Sequence, residues 1–212
     1  PELLTFYRFL LGAIILGSYL ILRKKLSSDL FFKPWRYLIL GGIYSVYFVF
    51  MFIALRYTST ISTAAIFALM PFATLILDSL IFNKKSQFLI WLALSISSIG
   101  ALYIIFDGSL FNALNFRLDF GELVFLIGTI VYSSYALVQP RLNFGENILI
   151  TTFGVLTAGT LILAFSIILQ NLEFIPKNKS VGLVFLVIYL AIFASIGTIV
   201  CLNFASSRIP AT

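Results

Sequence analysis

Two charged side chains interrupt long apolar runs, Arg8 and Asp78. A charge at the centre of a membrane helix costs about 3 kcal/mol on insertion scales, so each must face protein, water or a headgroup. Arg8 lies roughly two turns inside its run. It can snorkel to lipid phosphates or meet an anion or carboxylate in a cavity. Asp78 shares a helical face with Lys85, seven residues on, which allows an ion pair at the membrane interface. A proton or cation relay is the other reading.

Aromatic and hydroxyl residues supply the remaining chemistry. Tyr44, Tyr47, Thr63, Phe67, Tyr132, Tyr135, Ser195, Thr198 and Asn203 fall within apolar runs. Buried tyrosines need hydrogen-bond partners, and a solute path would provide them. Each alone reads equally well as helix packing, so the set is the candidate substrate cavity. Pro71 removes the donor for the Phe67 carbonyl and bends its helix. With small residues at Thr60, Ala64 and Ala68, it marks a gate or hinge. Ala93, Ser97 and Ala101 form a second small stripe, of the kind that packs membrane helices together.

Several chemistries are excluded. The chain has no histidine, which removes the His-based zinc proteases and the Ser–His hydrolases. Asp78 is the sole acid deep in a run, so no aspartyl dyad exists. All seven lysines lie between runs, so none can hold retinal. No glycine loop could cradle a nucleotide phosphate. One cysteine, Cys201, cannot form an internal disulfide. No enzyme, metal or cofactor is expected.

The elements that must carry these residues are membrane helices. The chain is 61% hydrophobic and 10% charged, with a mean hydropathy of +1.08. Seven apolar segments approach the roughly 20 residues needed to span a bilayer: Leu3–Leu22, Trp35–Leu55, Thr60–Phe82, Gln87–Phe106, Leu118–Val138, Asn147–Gln170 and Val181–Phe204. The expected fold is all-α and polytopic, with Pro34, Gly108, Pro140 and Pro176 marking connections.

The net charge of +6 needs no nucleic acid, because it sets orientation. One side carries Arg23, Lys24, Lys25, Lys33, Arg36, Lys84, Lys85, Arg141 and Arg208. The other carries Arg56, Arg117, Lys177 and Lys179, with Asp107, Asp119, Glu122 and Glu173. The richer set belongs in the cytoplasm. Pro1 then lies outside with no signal peptide ahead of it, which leads us to expect a preceding helix. The sequon Asn178-Lys179-Ser180 would also lie outside.

The chain contains a faint copy of itself. The corner Ala54-Leu55-Arg56-Tyr57-Thr58-Ser59 returns near the end as Leu202-Asn203-Phe204-Ala205-Ser206-Ser207, 148 residues on. Five spans separate the two corners. They therefore point in opposite directions across the bilayer, a common plan of secondary transporters.

These residues resemble the drug/metabolite transporter superfamily, EamA type. The resemblance rests on Phe6-Tyr7-Arg8-Phe9-Leu10-Leu11, the corner with Ala64-Ala65 and Pro71, Gly121-Glu122-Leu123, and Ala205 to Thr212. It implies ten helices in two inverted five-helix repeats. Residues 1–106 would be a first repeat lacking its first helix. Residues 107–212 would be a second lacking most of its fourth helix and its fifth. The glutamate often found in the family about thirteen positions after the proline is replaced here by Phe82-Asn83. The expected function is a secondary transporter, typically exporting small metabolites such as amino acids by alternating access. Its expected location is the bacterial cytoplasmic membrane, and its partners the lipid bilayer and a small-molecule substrate. As seven helices of ten, the chain alone is expected not to transport, and self-association stays open. The competing reading is a non-transporting receptor, scaffold or lipid-handling protein.

Overall fold

A computed structural model describes residues 2–24, 33–83, 88–106, 108–109, 111, 114–115, 119–170 and 181–208. Among these, regular structure is wholly helical: α1 Glu2–Leu22, α2 Trp35–Ala54, α3 Thr60–Phe67, α4 Met70–Phe82 and α5 Phe88–Ile105, followed by α6 Phe120–Leu142, α7 Ile148–Leu169 and α8 Val181–Tyr189. A π-helical segment, Leu190–Gly197, runs on into α9, Thr198–Arg208. Five helices are long and apolar enough to cross a membrane: α1, α2, α6, α7 and the continuous run from α8 into α9. The pair α3 and α4 makes a sixth if its 40° bend lies within one span, and α5 is a shorter apolar helix. The protein is thus a polytopic all-α membrane protein.

Two boundaries differ from expectation. The span 60–82 is broken rather than bent at an in-line proline: α3 ends at Phe67, and Pro71 occupies the first turn of α4. Proline is well accommodated there, because the amide it lacks has no helical acceptor. Pro140 does not end its helix, since α6 runs through it to Leu142. The Arg36 guanidinium fixes that last turn, Nη1 donating to the Leu142 carbonyl at 3.0 Å.

The chain divides into two compact units, Pro1–Ser45 with Val138–Pro210, and Val46–Leu137 with the last two residues. In the first unit α1 packs along α7. Leu16 and Leu20 meet Ile150, with Phe153 and Ile196 closing over them. Small residues permit the approach. A Cβ on Gly12 would lie 3.2 Å from Leu156 and 3.7 Å from the Ala191 carbonyl, with Ile196 at 3.6 Å. A Cβ on Gly159 would meet Phe9 at 2.9 Å and Ser45 at 3.1 Å, and one on Gly41 would come within 2.7 Å of the Gly159 backbone. In the second unit Ala54, Ile66 and Phe125 form the core.

Each unit also holds a clasp between α2 and α6. In the first, buried Arg36 at the start of α2 pairs with Glu146, just past α6. The Tyr37 hydroxyl donates to the other Glu146 oxygen at 2.8 Å, and Phe144 lies 4.8 Å from the guanidinium. In the second, the Thr58 hydroxyl beyond α2 donates to Glu122 in the first turn of α6.

Candidate functional site

The break between α3 and α4 is built from the residues the sequence offered as a gate. Ser59 caps α3, its hydroxyl accepting from the Ser62 amide at 3.1 Å. The helix closes with amide bonds from Ala68 to Ala64 and from Leu69 to Ile66. A break deep in lipid frees carbonyls that water cannot reach, and neighbouring hydroxyls must take them. Here Ser98 of α5 donates to the Ala68 carbonyl at 3.3 Å, while Ser133 of α6 stands 3.4 Å from the Met70 carbonyl and 2.8 Å from the Thr129 carbonyl of its own helix. Neither serine belongs to the predicted set.

Beside the break stands an aromatic group. Tyr47 stacks on Tyr132 with centroids 4.6 Å apart. Phe67 lies 6.1 Å from Tyr132, and Tyr135 lies 6.4 Å from it on the far side. Thr63 is buried in α3, its hydroxyl turned back to the Thr60 carbonyl at 2.9 Å. The second unit therefore brings Tyr47, Phe67, Tyr132 and Tyr135 together. A groove of about 460 Å³ in the same unit runs along Leu69, Phe72 and Ile76 to Leu126, Thr129 and Ile130. Its apolar wall suits hydrocarbon, and no residue of the predicted cavity lines it.

The other predicted residues belong to the first unit. Tyr44 is buried and stacks on Phe9 at 5.5 Å. Ser195 is buried in the π-helical segment, with no hydrogen-bond partner for its hydroxyl. Asn203 is buried and donates to Thr152 at 3.2 Å. Thr198 is exposed and turns back to the Phe193 carbonyl at 3.4 Å, which suits an intrahelical bond better than a cavity contact.

The burial of three further features bears on the expectations. Arg8 is 5% exposed, with its guanidinium 5.2 Å from the Phe9 ring, so it turns into the protein and does not snorkel. Asp78 is 1% exposed; Lys85, its expected partner, lies outside the described residues. The stripe expected to pack helices is mostly turned outward: Ala93 and Ser97 are exposed, with Ala101 half-buried. On α5 the packed face carries Trp91, 6.1 Å from Phe72, and buried Ser98. The Lys84, Arg117, Lys177 and Lys179 charges, Pro176 and the sequon lie outside the described residues.

In the sequence Glu122 counts among the charges of the less basic side, and Glu146 is not singled out. The glycine before Glu122 was the available signal. A Cβ on Gly121 would stand 2.9 Å from Thr58 and 3.0 Å from the Tyr57 backbone. Two of the short motifs behind the resemblance, corner and Gly-Glu-Leu, form one packed contact.

The arrangement defines a class: a polytopic helical membrane protein with a broken span whose carbonyls are held from neighbouring helices. Residues 1–106 match the EamA-like transporter family, and the chain belongs to it. It is also 25% identical over 199 residues to the uncharacterized transporter YyaM of Bacillus subtilis (strain 168). That match covers 92% of this chain and 65% of the relative, so the chain spans a little under two thirds of its length.

Proposed function

We propose that the protein acts as a secondary transporter in a bacterial cytoplasmic membrane, exporting a small polar or amphipathic metabolite such as an amino acid by alternating access. Its halves, 1–106 and 107–212, are inverted repeats of five-helix type, and seven of their helices cross the membrane. Family membership and the relative's name support transport. The observation that carries the mechanism is reciprocal packing in the first unit. Shifted back by the 148-residue offset, Gly159 against Gly41 and Ser45 becomes position 11 against 189 and 193. What is found is position 12 against 191 and 196. Helix α1 thus meets the partner of α7 much as α7 meets the partner of α1. A twofold axis in the membrane plane leaves that pattern, and inverted repeats place their substrate between them.

Tyr47, Phe67, Tyr132 and Tyr135 are the lining residues we favour, with the α3–α4 break as the moving part. The test is a panel of amino acids, nucleosides and other small metabolites screened by thermal stabilisation of the purified chain. A ligand at a hundred times its Kd adds about 2.7 kcal/mol. One compound class should raise the midpoint saturably, and Tyr132→Ala should abolish the rise. A panel without effect, or a rise indifferent to Tyr132, removes the proposal.

A further inference from the structure

One end of the first unit gathers positive charge around an exposed aromatic ring. Leu16 and Leu20 of α1 meet Ile150, and the Tyr37 ring of α2 covers Gly154. The end of α1 and the start of α2 therefore stand at the same end of α7. The chain that joins them, residues 23–36, together with 141–146 holds six basic residues against two acids, Asp29 and Glu146. Glu146 is already committed to Arg36 and to the Tyr37 hydroxyl. With both acids counted in full, four positive charges remain in excess.

Phe144 is the fixed point of this surface. Asn143 Oδ1 accepts from the amides of Gly145 at 3.0 Å and Glu146 at 3.1 Å, and Gly145 makes the turn in the left-handed region, at φ +91°. Asn147 then caps α7 by accepting from the Leu149 amide at 2.9 Å. The loop so built leaves the Phe144 ring 63% exposed. An aromatic face draws cations: the Lys33 ammonium lies 4.9 Å from the ring and the Arg36 guanidinium 4.8 Å. Lys33 is exposed. Just beyond it on α2, Trp35, Leu38 and Ile39 are exposed too, at positions that share one helix face. Charge, indole and hydrocarbon thus follow one another from the helix end inward, as headgroup, interface and acyl layers do in a leaflet. A free phosphate would use only the first.

We propose that this surface binds an anionic phospholipid, its phosphate at Lys33 beside Phe144, its glycerol at the level of Trp35 and an acyl chain along Leu38 and Ile39. Each lysine or arginine near an anionic membrane surface strengthens the attraction about fivefold. The site requires that α2 cross a membrane, and it does not rest on the transport reading.

Trp35 reports on its own site. The chain has two tryptophans, so Trp91→Phe leaves Trp35 as the sole fluorophore of its kind. The full chain is reconstituted in phosphatidylcholine vesicles carrying a fixed fraction of dibrominated phosphatidylglycerol or of dibrominated phosphatidylcholine, bromine being a contact quencher of indole. The anionic lipid should quench Trp35 more strongly. That preference should fall about fivefold in Lys33→Gln and return in Lys33→Arg. Arg56→Gln removes the same charge beyond the other end of α2 and should leave the preference unchanged. Equal quenching by the two lipids overturns the proposal. So does an equal loss in Arg56→Gln and Lys33→Gln, which would mean attraction by bulk charge without a site. Inorganic phosphate should lower the preference no more than sodium chloride of equal ionic strength; specific displacement would assign the surface to free phosphate and overturn the lipid. Native mass spectrometry of lipid retained by wild type and Lys33→Gln makes the same comparison if the Trp91→Phe background fails to fold.

Discussion

Glycine carries opposite consequences at two places in this chain, and the difference lies in what stands opposite the missing side chain. At Gly121 an added methyl meets the Tyr57 backbone and Thr58 Cβ, neither of which can rotate away. Overpacking of this kind costs about 1–3 kcal/mol, so Gly121→Ala should lower the thermal midpoint. At Gly100, in α5, nothing lies within 4 Å. There the methyl restores helix preference, worth about 1 kcal/mol against glycine in a helix interior. Gly100→Ala should raise the midpoint or leave it alone. Differential scanning fluorimetry on the two variants in one detergent decides the matter, and a midpoint unchanged or raised in Gly121→Ala would refute the packing at the corner. Buried charge follows a similar logic. Arg36 and Glu146 have 3% and 8% of their side-chain surface exposed. Removing one strands the other, at about 3–5 kcal/mol. Arg36→Ala and Glu146→Ala should each be severe, and the double variant much milder than their sum. A strictly additive double-mutant cycle would mean that the two side chains do not depend on each other.

At the scale of elements, the broken span shows where its stability comes from. If Pro71 alone made the break, Pro71→Ala would straighten residues 60–82 into one helix. The Ala68 carbonyl is held by Ser98 from another helix, and Ser133 packs beside Met70, so tertiary contacts should preserve the break without the proline. Spin labels at Ile61 and Ile81, both exposed, report the distance between the two ends. It should change little in Pro71→Ala and lengthen once Ser98→Ala and Ser133→Ala are added; straightening by Pro71→Ala alone would rule this out. The sequence could announce a disturbance here, because proline acts locally through its own missing amide. It could not announce which serines answer it. Ser97 and Ser98 are adjacent and differ only in which way α5 is turned, and that is decided by Trp91 packing on Phe72. Hydropathy and length made the helices and most of their ends readable, since lipid imposes the same demand on every span. The clasp residues were hidden for the converse reason. Glu122 and Glu146 look like solvated loop charges until the partner, 64 or 110 positions away, is placed beside them. The tyrosines were readable as a set, since long apolar runs leave few other polar groups. Which of them meet depends on helix rotation, and among the described residues Tyr47, Tyr132 and Tyr135, with Phe67, are drawn together.

For the whole molecule, the distribution of charge sets orientation, and the clasps turn that into a measurable geometry. Nine lysines and arginines fall on one set of connections and four on the other, a bias that retains the richer side in the cytoplasm. Helix α2 carries Arg36 at its first turn and leads into Thr58 beyond its last. It is long and apolar enough to span, and a spanning helix has its two ends at opposite surfaces. The charge bias predicts that the end of α2 carrying Arg36 is internal and the end leading to Thr58 external. Tyr57 and Phe144 are exposed at the two places, 65% and 63% respectively. In a Cys201→Ser background, a cysteine at Tyr57 should react with a membrane-impermeant maleimide added to intact cells. One at Phe144 should react only after the cells are permeabilised. The reverse pattern would mean that the charge bias does not set this protein's orientation, and it would place the Glu122 carboxyl on the cytoplasmic side. Labelling of both from one side is stronger still: α2 would then not cross the membrane, and the inverted arrangement of halves would lose its geometric basis.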